Sequence, residues 1–292
     1  MINATIEYCV EWLQTGYHQL YGSEPNPWLG ILTEATAVTL KAIAASNAAY
    51  HDVEHTVLVT LTGEALLRGK QQREGNVTVA DWGHCLLALL CHDIGYVRGV
   101  CGGDRPSYRL YTTGVGEQMI SLPPEATDAS LTPYHVDRSL AFVAEQWGQS
   151  AEIDLARIQS GIDRTRFPIP QGSPYDHKTD YPALIRAADL LGQLADPRYL
   201  QKLPALFAEF AENGTNQQLG YSHAGDLRAG FPGFFWQVVY PYIEPSLPYL
   251  RATQAGQQVI TNLYGNVFIV EHELHSKAVQ RQDGRKPLPS SP

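Results

Sequence analysis

Apolar positions in this chain recur every three or four residues over most of its length, and strict apolar–polar alternation is scarce. That period belongs to helices, where residues i, i+3 and i+4 share a face. It predicts a first helix over Ile2–Tyr21, broken by Gly22-Ser23-Glu24-Pro25-Asn26-Pro27, and a long second one from Trp28 towards Ala49. Val53, Val57, Leu61, Ala65 and Leu66 make a stripe within Asp52–Lys70, with His51 at the entrance of that helix. Gly75 to Val79 punctuates the chain ahead of Asp81, a suitable cap. The run Trp82–Ile94 is then almost continuously apolar, which predicts a central helix buried on most sides and ended by Gly95. Helical spacing returns over Val136–Trp147, Ala151–Ile158, Tyr181–Leu194 and Tyr199–Glu212, while the Gly- and Pro-bearing interval Gly99–Pro133 reads as the irregular rim of a site. The expected fold is all-α and multihelical, without internal repeats.

With 292 residues, 44% of them apolar, the chain can bury one large core, so a single domain is expected over 1–282 with a loose Pro- and Ser-rich tail at 283–292. A formal charge of -9 repels nucleic acid over most of the surface and excludes broad nucleic-acid binding. A small phosphate ester stays compatible with that charge, because a bound cation reverses the potential inside a pocket. Cys9, Cys85, Cys91 and Cys101 lack paired CxxC spacing and read as core thiols. No signal-like segment and no apolar run of membrane-spanning length is found, so a cytoplasmic protein without membrane association is expected. Leu- and Ala-rich helix faces suit a homodimer or the core of a monomer equally well.

The chemistry concentrates in five residues. His51 and His55 stand one helical turn apart, His92-Asp93 emerges at the end of the most apolar helix, and Asp189 is a lone carboxylate within Leu184-Ile185-Arg186-Ala187-Ala188-Asp189-Leu190-Leu191. A buried carboxylate beside a histidine needs a compensating charge, and a metal ion supplies it. The bland alternatives are a surface histidine pair and, for Asp189, a salt bridge to Arg186 or an internal cap. Two imidazoles and two carboxylates suit zinc, manganese or iron, with magnesium more natural at a neighbouring oxygen-rich position.

In this ordered set the chain resembles the HD-domain metal-dependent phosphohydrolases, and more narrowly the class I cyclic nucleotide phosphodiesterase catalytic fold. The matching segments are Tyr50-His51-Asp52-Val53-Glu54-His55, Leu90-Cys91-His92-Asp93-Ile94-Gly95, and Ala187-Ala188-Asp189-Leu190 followed by Asp196-Pro197. The resemblance covers about residues 28–250. It implies that His55, His92, Asp93 and Asp189 hold a divalent metal, that Asp93 can bridge to a second, and that His51 acts as general acid with its ring oriented by Glu54 or another carboxylate. It also makes Phe231, in Gly230-Phe231-Pro232-Gly233-Phe234-Phe235-Trp236, a substrate-contact candidate. Two departures stand out. Arg228-Ala229 precede Gly230-Phe231 where the family's base-reading Gln would be, and Tyr96 replaces a histidine that serves a second metal.

Beyond the resemblance, His135 sits behind Pro133 near a helix start and is a candidate for substrate or second-metal binding, and Arg138 for phosphate binding through its planar fork. Asp137 pairing with Arg138 in a cap is the structural alternative. Arg164 and Arg166 are a further phosphate clamp candidate or part of a solvated loop. His84 lies about 12 Å from His92 along a straight helix and reads as a hydrogen-bonded core residue. The expected function is metal-dependent hydrolysis of a phosphomonoester or phosphodiester, nucleotide-like by the resemblance. The competing functions are a di-iron oxygenase on the same scaffold and a non-catalytic metal- or ligand-binding module.

Overall fold

Six of the α-helices start at a residue whose side chain accepts from the free N–H groups of the first turn. The computed structural model describes residues 2–283. Helix α1 (Ile2–Tyr21) is followed by α2 (Pro27–Ile43), capped by Asn26, which accepts from Trp28 N, with Pro27 in the first turn. Helix α3 (Val53–Glu74) is capped by Asp52, which accepts from His55 N at 2.9 Å, and ends at the left-handed Gly75. Helix α4 (Val79–Cys91) opens with a reciprocal Thr78–Asp81 capping box, so the cap is Thr78 and Asp81 is its partner. Next come α5 (His135–Trp147), α6 (Leu155–Asp163), α7 (Tyr181–Leu194), α8 (Tyr199–Asn213) and the single turn α9 (Thr215–Gln218). Helix α10 (Ala224–Phe234) runs through a π turn at Phe235–Val239 into α11 (Tyr240–Ile243), then α12 (Leu247–Arg251) and α13 (Gln254–Asp283).

The fold is all-α and multihelical, with one two-stranded antiparallel hairpin, β1 (Leu110–Thr112) and β2 (Met119–Ser121). Helices α2 and α6 depart from the bounds the periodicity predicts. Helix α2 stops at Ile43, short of Ala49, and α6 starts at Leu155 because Asp154 caps it, later than the Ala151 start expected. Residues 284–292 of the expected tail lie outside the described residues, and α13 reaches Asp283.

Helix α4 is the centre of the molecule. Every residue from Trp82 to Cys91 is buried, because α2, α3, α6 and α7 pack around it. All four cysteines are free and buried, as core thiols should be, and burial pushes each of them up to about 12. Helices α3 and α7 run side by side. A Cβ on Gly192 would stand 2.6 Å from Val59 Cα, so this closeness requires glycine there. Helix α4 ends at Cys91, not at Gly95. Gly95 instead permits a close backbone approach, since a Cβ there would lie 1.9 Å from the His135 carbonyl oxygen. Among the described residues no helix is long and apolar enough to cross a membrane.

Candidate metal centre

Three helix ends and one helix middle deliver the site. His55 comes from the first turn of α3, His92 caps the carboxyl end of α4, Asp93 leads into a 3-10 turn at Ile94–Tyr96, and Asp189 projects from α7. His55 Nε2 and His92 Nε2 each lie 3.1 Å from Asp93 Oδ2, and stand 3.8 and 3.5 Å from Asp189 Oδ1. Ligands bound tetrahedrally at metal–nitrogen or metal–oxygen distances of 2.0–2.1 Å are about 3.3 Å apart. The four side chains thus have the spacing of a coordination shell.

The donor chemistry agrees. His92 Nδ1 donates to Leu89 O at 2.7 Å, which leaves Nε2 as a lone pair turned towards the carboxylates. His92 Nε2 and Asp93 Oδ2 are buried and without a hydrogen-bond partner. Burial opposes charge on both, yet the carboxylates of Asp93 and Asp189 outweigh it and hold His92 well above the usual imidazole range. Asp93 is likewise held well below the carboxylate range despite burial, by His92, His55 and His51. A proton on His92 answers only part of this arrangement; one divalent cation answers all four side chains. The two groups His51–His55–Asp93 and His55–His92–Asp189, with ligand atoms within 4.8 Å of one another, are able to hold a metal ion.

His51 stands beside this set and is braced from behind. Its Nδ1 donates to Glu209 Oε2 at 2.6 Å, and Glu209 Oε1 accepts from the backbone of Tyr50 and His51 at 2.6 and 3.2 Å. Burial lowers the affinity of this ring for a proton, but the Glu209 carboxylate more than compensates and raises it to about 9. Glu209 itself is held low by His51 against its own desolvation. Of the two alternatives expected to orient His51, Glu54 or another carboxylate, the second holds: Glu54 faces Arg198 and Lys202. Glu209 is the residue that periodicity could have revealed: it lies at i+3 from Leu206 and i+6 from Leu203, on the buried stripe of α8.

Tyr96 lies flat between two imidazoles, 4.3 Å from His51 at 15° and 4.4 Å from His135 at 19°. His135 Nδ1 donates to Thr132 O at 2.6 Å, so its Nε2 is the free nitrogen, 3.8 Å from Asp93 Oδ1. Burial lowers this ring's affinity for a proton from the ordinary imidazole value. Tyr96 thus stands three residues after Asp93, and the imidazole on its far face comes from α5.

The phosphate role expected for Arg138 does not survive. Its side chain is 0% exposed, and its guanidinium donates to the carbonyls of Gly95, Val97 and Thr112 and to both oxygens of Asp104. Those five bonds use all five of its N–H groups. It staples the hairpin region to the 3-10 turn and has no donor left for a ligand. Asp137 pairs with Arg166, not Arg138, and Arg166 also binds Asp163. Arg164 reaches Pro174 O, His177 O and Asp180. Arg186 donates to Tyr175 O and His177 O and lies over the Tyr242 ring, so Asp189 has no salt bridge to it. His84 is a satisfied core histidine, with Nδ1 donating to Ala80 O and Nε2 accepting from Asp154 N.

A cavity of about 480 Å³ opens from His51, Asp93, His135 and Asp189 and runs between α7, α8 and α10. Phe231 is on its wall, packed 5.0 Å from Tyr199. Of the interval Gly99–Pro133, expected to be the rim, Thr132 is the residue that reaches the cavity among those described. A protein-family model described as Npun_R2479-like matches residues 1–273. No curated protein and no solved structure matches the chain.

Proposed function

This chain belongs to the Npun_R2479-like family, and from its site we propose that it hydrolyses a phosphate ester with a divalent cation held by His55, His92, Asp93 and Asp189. One observation carries the proposal: a four-residue donor set with orphaned buried atoms lies at the end of a cavity, next to a carboxylate-braced histidine outside that set. A purely structural ion needs no such neighbour and no open approach. The similarity of the His51–His55, His92-Asp93 and Asp189 segments to HD-domain phosphohydrolases points the same way.

The cation would supply Lewis-acid polarisation of phosphoryl oxygens and activation of water. The remaining steps belong to the chain. Glu209 accepts from His51 Nδ1 and raises the ring's affinity for a proton, which leaves Nε2–H as the donor for the site. As water bonds to phosphorus and the phosphorus–oxygen bond to the alcohol breaks, His51 Nε2 gives its proton to the departing oxygen. The proton released by water returns the ring to its charged form through solvent. Tyr96, held between the two rings, sets the angle of both imidazoles.

Metal analysis of the native protein, followed by a hydrolysis panel of phosphomonoesters and diesters on the same sample, tests this reading. Stoichiometric divalent metal with ester turnover supports it, and metal-replete protein inert towards the whole panel removes it. A second reading is kept by His135, whose free Nε2 beside Asp93 Oδ1 suits a second metal and hence a di-iron oxygenase. Two irons per chain and consumption of oxygen would identify that activity instead.

A further inference from the structure

The cavity beyond the metal centre is walled chiefly by hydrocarbon. Leu190, Leu206, Phe210, Leu227 and Phe231 line it, and Phe167 and Phe234 meet edge to face across it at 5.8 Å. Its neutral polar side chains, eight in all with Gln193, Thr215 and Gln218 among them, stand in a wall that is mostly hydrocarbon, so a sugar or a nucleoside removed from water has to set hydroxyls and ring nitrogens against apolar surface. The wall is also apolar where it meets solvent: Phe167 is 52% exposed and Leu219 51% exposed. Exposed apolar side chains at a cavity mouth favour apolar ligands, whereas polar ligands gain nothing from them.

The polar end of the cavity has the opposite character. Arg186 lies on the same wall, three residues before Asp189 on α7 and 1% exposed. Among the described residues no carboxylate forms an ion pair with it, and its Nε is buried without a partner. A buried guanidinium without a counter-ion, one turn from the metal centre, suits an anionic head.

We infer that the ester is a monophosphate of a hydrocarbon alcohol, its phosphate at the His55–His92–Asp93–Asp189 centre and its apolar body between α7, α8 and α10. The inference rests on the hydrolase reading for its reaction: water and the alkyl phosphate give the free alcohol and inorganic phosphate, with the His51 proton on the alcohol oxygen. It rests on the cavity wall for its ligand.

Binding and turnover separate the two. Calorimetry on the full chain with zinc would compare ethyl, butyl and hexyl phosphonate, which cannot be hydrolysed, with adenosine monophosphate. Affinity should rise about fourfold per added methylene, and the hexyl compound should bind more tightly than the nucleotide. Leu219→Gln and Phe234→Gln, one at an exposed position and one half-buried, should flatten that dependence on chain length. Equal affinity for ethyl and hexyl phosphonate, tighter binding of the nucleotide, or no binding at all overturns the inference. If chain length governs affinity while hexyl phosphate is not hydrolysed, the ligand class stands and the hydrolase reading falls.

Discussion

Substitution at single residues separates metal holding from proton transfer. Asp93→Ala and Asp189→Ala should each lose bound metal, read by elemental analysis after gel filtration, and lose turnover with it. His51→Ala should keep most of the metal while turnover falls about 10²–10⁴-fold, the usual span for a general acid. The acid form of His51 is present below its raised value of about 9, so kcat should fall as pH rises through that limb. A bound cation moves the limb down, and Glu209→Gln should move it further towards the ordinary imidazole value; an unmoved limb in that variant would show that another group is titrating. Arg138 makes a prediction about stability instead. Removing it leaves Asp104 buried and unpaired, so Arg138→Met should cost about 3–5 kcal/mol, while adding Asp104→Leu should recover part of the lost melting temperature.

At the scale of elements, the helical periods place α1, α3, α5, α7 and α8 within a few residues, because each carries a buried face. The residues of the candidate metal centre are equally legible, since a histidine or carboxylate in an apolar run is conspicuous. Legibility fails where the cause is long-range. Nothing near Arg138 in the chain tells that Asp104 closes around it. Glu54, close to His51 in the chain, looks the natural brace, although Glu209 holds the ring across 158 positions. Glycine is the same kind of case. Gly192 lies three residues beyond Asp189, and its packing on Val59 sets how far α7 stands from α3 and therefore from His55. Gly192→Ala should cost about 1–3 kcal/mol in denaturant unfolding and weaken zinc binding measured by competition with a chelator, although residue 192 touches no ligand. Unchanged metal affinity in a destabilised variant would refute that coupling.

Across the whole molecule, a chain with a formal charge of -9 gathers the carboxylates of Asp93 and Asp189, the imidazoles of His51, His55, His92 and His135, and the Arg186 guanidinium around one site. The local balance differs from the global one, so ionic strength should affect the protein's encounters with other macromolecules more than its retention of a cation in the buried centre. The segment between α6 and α7, which brings Phe167 to the cavity, is held by Arg164 and Arg186 through the carbonyls of Pro174, Tyr175 and His177. Main-chain oxygens are the same for every amino acid. Those anchors are therefore blind to the side chains they fasten, so a residue of the span that faces the cavity can be exchanged without costing the span any of these hydrogen bonds.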